Sequence, residues 1–153
     1  MRKLTVLILA IILLLNLNLG AFAASDEAGT VIYFQETNTE DGIVIIDKIL
    51  LSPQFARSNT ETATRTKSFY REGALIAEIK FAATFRYDGS SVSVISKAVT
   101  QTDTYSGWNY IQQSFTSSGG TVTLEGKLRK LLVLNVPFTM GLTCDVNGNI
   151  TPI

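Results

Sequence analysis

Ala74-Leu75-Ile76-Ala77-Glu78-Ile79-Lys80-Phe81-Ala82-Ala83-Thr84-Phe85-Arg86-Tyr87, closed by Asp88-Gly89, is the stretch on which the fold turns. Leu75, Ala77, Ile79, Phe81, Ala83, Phe85 and Tyr87 recur at every second position. Glu78, Lys80, Thr84 and Arg86 fall between them, with Ile76 and Ala82 as apolar exceptions. Successive side chains of a strand point to opposite faces, so this alternation predicts one long strand with a dry face and a wet face. Asp88-Gly89 supplies the positive φ angles of a tight hairpin turn. Ser91–Gln101, rich in Val, Ile, Ser and Thr, then reads as the returning strand.

The same period runs on downstream. Trp108–Ser117 alternates, and Ser117-Ser118-Gly119-Gly120 turns the chain. Val122, Leu124, Gly126 and Leu128 point one way; Thr121, Thr123, Glu125 and Lys127 point the other. Leu131–Val136 is apolar on both faces, which predicts a strand covered on both sides, interrupted by Pro137. Phe138, Met140, Leu142, Cys144 and Val146 alternate with Thr139, Gly141, Thr143 and Asp145 before the turn signal Asn147-Gly148. Upstream, Thr62–Tyr70 reads as a strand joined to Ala74 by Arg71-Glu72-Gly73, and Thr30–Gln35 as another. Ile43–Leu51 is apolar around Asp47-Lys48 and fits a buried strand or a short helix, its β-branched content favouring the strand. Arg57–Thr64 is polar and reads as a loop. Six to eight strands with hairpin turns and hardly any helical period predict an all-β domain. The architecture expected is an antiparallel β-sandwich, Ig-like or similar, with a barrel as the alternative, the uneven strand spacing favouring the sandwich.

The start of the chain reads differently. Arg2-Lys3, the apolar run Leu4–Leu15 and the small-x-small end Ala21-Phe22-Ala23 form the pattern of a secretory signal helix, cleaved after Ala23. Residues 1–23 are thus expected to be a signal peptide, and 24–153 a single secreted domain whose first part, 24–62, is the least clearly patterned. Of 13 Lys and Arg, Arg2 and Lys3 leave with the signal, so 11 remain against 13 acids, a net charge of −2. That balance argues against nucleic acid as a partner, and no cluster of Lys or Arg argues for anionic lipid. After signal cleavage no membrane anchor is expected, since no Cys near Ala23 could take a lipid.

Candidate chemistry is sparse. The chain has no His, which removes the side chain best suited to proton transfer near neutral pH and the commonest metal ligand. Tyr105, Trp108, Asn109 and Tyr110 place rings beside amide and hydroxyl groups, as a sugar-stacking platform does; the competing reading makes Trp108 and Tyr110 core-edge residues. Asp145, Asn147 and Asn149 carry oxygens at alternate positions around Gly148, but the glycine position and the missing distal Glu do not fit a calcium loop, and a turn explains Asn-Gly without metal. Cys144, the single cysteine, has no disulfide partner and no His to activate it, and sits on an apolar face. No catalytic residue, cofactor or metal site is therefore assigned.

From about Thr66 to Thr151 the chain resembles small secreted all-β proteins of Gram-positive, Firmicutes-type bacteria. The matching features are Phe85-Arg86-Tyr87-Asp88-Gly89-Ser90-Ser91, Gly107-Trp108, and Leu142-Thr143-Cys144-Asp145 ahead of Asn147-Gly148-Asn149. The resemblance implies an exported β-sandwich and carries no assigned activity. Some relatives place a second Cys shortly after the Gly-Ser turn; Val92 and Val94 stand there in this chain, which implies no disulfide at Cys144. The expected function is extracellular or cell-surface binding without catalysis, toward a cell-wall glycan or a surface protein. The alternatives are a carbohydrate-binding module using Trp108 and its neighbours, a His-free carboxylate hydrolase, and a secreted antibacterial factor.

Overall fold

The computed structural model describes residues 29–53, 59–131 and 133–153. The expected signal helix, 1–23, lies outside them. Nine strands run through the described residues: β1 (Thr30–Asn38), β2 (Ile43–Leu51), β3 (Thr60–Arg71), β4 (Ala74–Tyr87), β5 (Val92–Thr104), β6 (Trp108–Ser118), β7 (Thr121–Lys130), β8 (Leu134–Cys144) and β9 (Ile150–Pro152). They form two antiparallel sheets, β1-β2-β3-β4-β5 and β6-β7-β8-β9, each a meander in chain order. The barrel weighed as an alternative does not form, because no ladder joins one sheet to the other.

β4 keeps the faces its sequence predicts. Ala77, Ile79, Phe81, Ala83 and Phe85 are buried, while Arg86 is exposed and Glu78, Lys80 and Thr84 are half-covered. These inward residues join one apolar cluster with Val122, Leu124, Leu128, Met140 and Leu142 of the other sheet. Ring contacts span the gap: Phe69 meets Phe138 with centroids 5.1 Å apart, and Phe81 meets Phe115 edge-on at 5.6 Å. Gly126 makes room for this packing, since a Cβ there would lie 2.7 Å from the Tyr110 ring and 3.0 Å from Phe138.

Cations of the five-stranded sheet bind carbonyls of the four-stranded sheet along both flanks. On one flank Lys97 Nζ donates to the Phe115 carbonyl at 2.8 Å and lies 4.9 Å from its ring centroid. On the other, Lys67 Nζ donates to the Thr139 carbonyl at 2.9 Å, and Arg65 donates to the carbonyls of Gly141 and Ile153. Contacts therefore run 65 to 141, 67 to 139 and 69 to 138, so β3 and β8 lie antiparallel across the core. The β3–β4 and β7–β8 turns fall at the same end.

One open reading resolves as favoured and two expectations change. Ile43–Leu51 resolves as a strand, paired residue for residue with Ala63–Arg71. Part of the loop expected over Arg57–Thr64 is strand, since β3 begins at Thr60. Its alternation is Thr against Glu61, Ala63 and Arg65, so the hydrophobic period is missing although the strand is real. Leu131–Val136 is not a doubly covered strand: β7 ends at Lys130, Leu131 turns at φ 56°, and Leu131 and Val133 are exposed.

Pro137 also fails to interrupt its strand and pairs opposite Lys127 inside β8. The edge it faces explains this. Gly141 accepts a bond from Ile153 N–H, and Thr139 accepts from Lys67, both away from β7. Pro137 shares their parity, and β9 pairs only with Leu142–Cys144. Its missing N–H therefore lies on an edge left open among the described residues, where a strand tolerates proline.

Candidate functional site

The aromatic segment 105–110 is divided by its own strand geometry. Tyr105 closes the β5–β6 connection, its N–H bonded to the Ile76 carbonyl and its carbonyl accepting from Trp108 N–H. Ser106 and Gly107 make the turn with φ of 54° and 78°. Trp108 then faces inward and is 3 % exposed, with Lys130 Nζ lying 5.9 Å from its ring centroid. Tyr110, on the same side of β6, stacks on Phe138 at 6.1 Å, and burial raises its hydroxyl above the ordinary tyrosine range. Asn109 points to the opposite face and is exposed. Tyr105 is exposed and Trp108 is not, so no common stacking face results.

Asp145, Asn147 and Asn149 do converge, on each other. Asp145 Oδ1 accepts from the N–H groups of Asn147 (2.8 Å) and Asn149 (2.9 Å), and its Oδ2 accepts from Asn149 Nδ2 (2.7 Å). These bonds hold its carboxyl below the usual range and engage both oxygens in the turn. Asp88 does the same for Ser90 and Ser91 in the neighbouring hairpin, and Gly89 N–H donates to the Val146 carbonyl, tying the two turns together. No cluster suited to a metal ion occurs among the described residues. Cys144 is buried, and burial, followed by the charges of Asp145 and Glu61, pushes its thiol up to about 11. A thiol activated as a nucleophile is shifted the other way.

Two features were not picked out from the sequence. The first is a buried ionic group. Arg65 (4 % exposed) donates to both oxygens of Asp47 (6 % exposed), from Nε at 2.9 Å and Nη2 at 2.6 Å, and Lys67 Nζ lies 3.4 Å from the same carboxylate. It lies in a groove of about 360 Å³, with Tyr33 and Gln35 of β1 on one side and Thr139 and Ile153 on the other. Parity could have found it: Asp47 falls in step with Ile43, Ile45 and Ile49, and Arg65 with Ala63 and Phe69. Burial moves the Lys67 amine below its ordinary range, against the opposing pull of Asp47.

The second is the β7–β8 turn. Leu131 and Val133 are 77 % and 88 % exposed. Lys127, Arg129 and Lys130 lead into it, so the absence of a basic cluster expected from overall composition does not hold locally. No Asp or Glu occurs between Glu125 and Asp145. Comparison with protein-family models, curated proteins and solved structures found no match.

Proposed function

We propose that this chain is exported and acts as a non-enzymatic β-sandwich binding protein whose contact surface is the end bearing the β7–β8 turn. The observation that carries the binding end is the exposure of Leu131 and Val133 at a hairpin tip. Local folding does not favour Leu at position 131. A side chain held in the left-handed region costs about 1–2 kcal/mol, which Gly avoids. An apolar tip held in an unfavourable backbone state gains from being covered by something outside the chain. Tyr105, exposed at the same end, adds a ring with a polar tip, a type suited to contact surfaces. Export is supported by Arg2-Lys3, Leu4–Leu15 and Ala21-Phe22-Ala23. The absence of His and the elevated thiol of Cys144 support a role without catalysis.

The test uses protein recovered from culture medium, whose N-terminal sequence should start at Ala24. It is mixed with intact bacterial cells, and the cell-associated fraction is compared with that of Leu131→Gly/Val133→Thr. A several-fold loss in the variant is expected. Equal retention of both proteins, or no retention of the wild type, overturns the reading.

A further inference from the structure

Resting on that binding-end reading, we propose that the β7–β8 tip docks on an anionic lipid bilayer, Leu131 and Val133 entering the interface while Lys127, Arg129 and Lys130 meet the lipid phosphates. Three observations converge on this occupant. The tip is apolar and its flank is cationic, the pairing that holds peripheral proteins at anionic membranes. The spacing also fits. At about 3.3 Å per residue, Arg129 trails Leu131 by about 7 Å, which places its guanidinium at headgroup depth when the apolar tip is about 5–10 Å in. Lys130 sits between them, and Lys127 lies one pleat further back on the outer face with Arg129.

Charge complementarity is local: the hairpin has no acid from Gly126 to Cys144, and Glu125, one pleat behind Lys127 on the outer face, accepts from the Ser114 hydroxyl. The acids at this end belong to the other sheet. Glu72 sits beside Arg71 in the β3–β4 turn, and Glu40 and Asp41 lie in the β1–β2 turn, about 10 Å to the side of β3. A glycan is the weaker occupant, because Trp108, the ring best suited to stack on a sugar, is enclosed under Lys130.

The experiment is co-sedimentation of the full secreted protein with vesicles of equal parts phosphatidylglycerol and phosphatidylcholine, and with vesicles of phosphatidylcholine alone. Binding to the anionic vesicles is expected, with a loss of about tenfold or more in about 0.5 M salt, where charges are screened within a few ångströms. Lys127→Gln/Arg129→Gln/Lys130→Gln should bind both vesicle types equally weakly. Leu131→Gly/Val133→Thr should lose binding while its thermal midpoint stays level or rises, since glycine relieves the φ of residue 131; that separates lost contact from lost fold. Equal wild-type binding to neutral and anionic vesicles overturns the proposal. So does failure to bind vesicles by a wild type that still coats cells in a tip-dependent way, which leaves the binding end intact but assigns it to a protein or glycan. Failure on both cells and vesicles sinks both readings.

Discussion

Replacing Asp47 with Ala puts the buried ionic group to a quantitative test. Arg65 and Asp47 are both nearly enclosed and share two short bonds, so the substitution strands a guanidinium where water cannot reach it freely. Removing one partner of a buried pair costs about 3–5 kcal/mol, against less than about 1 kcal/mol for a surface pair. The carbonyls of Gly141 and Ile153 still accept from Arg65, which sets the expected cost near the lower bound. Lys67 acts in the opposite direction: it loses the carboxylate 3.4 Å away and is left facing a second cation. The expected loss is about 3 kcal/mol, a large share of a domain stability of about 5–15 kcal/mol. With a urea m-value near 2 kcal/mol/M, the unfolding midpoint falls by about 1.5 M. Asp47→Leu combined with Arg65→Met should recover part of that loss, because the guanidinium is no longer stranded and Lys67 no longer faces a second cation. A midpoint shift in Asp47→Ala below about 0.5 M would show the pair to be solvated like a surface bridge and refute the reasoning.

Three further outcomes are expected. Phe85→Ala, at a fully buried site of β4, should cost about 3–5 kcal/mol in urea unfolding, and Arg86→Ala, one residue on and exposed, less than about 1 kcal/mol; similar costs would reverse the face assignment. The Cys144 thiol is raised from 9.0 to about 11 in the folded chain, so its contribution to stability is whole below pH 9 and fades as pH climbs through about 11. The stability gap between wild type and Cys144→Ala should therefore shrink over that window, and a gap that widens contradicts the cause given. Trp108 should emit at short wavelength and resist acrylamide, and Trp108→Ala should destabilise by about 3–5 kcal/mol; a freely quenched Trp108 would return the ring to the surface.

Legibility in the sequence followed the contrast between neighbours. β4 was readable because its inward residues are apolar at every step and Glu78, Lys80, Thr84 and Arg86 fall between them. β3 was half hidden, because its inward set contains Glu61, Arg65 and Lys67 and its other face is Thr at 60, 62, 64 and 66 followed by Ser68, so polarity hardly alternates although both faces are used. The buried ion pair escaped for the same reason: a charge on an apolar strand reads as an interruption unless its parity is followed. The β7–β8 turn misled in the other direction. Five apolar positions in the six residues Leu131–Val136 suggest burial, but hydropathy carries no information about whether the rest of the chain reaches far enough to cover Leu131 and Val133. The candidate surface could be seen only once the hairpin was placed at an end of the two layers.

The two open edges on the groove side of the molecule are unequal. β8 presents Pro137, which has no donor to offer, and a Thr139 carbonyl already held by Lys67. Another strand finds little to pair with there. Among the described residues, β1 presents an unpaired main-chain edge from Tyr33 to Asn38, with Phe34 exposed beside it and only the irregularity between Val31 and Tyr33 to break its line. Polymerisation at high concentration should thus nucleate from one border of the molecule, growing outward from β1, and a lysine in place of Phe34 should raise the concentration at which it begins.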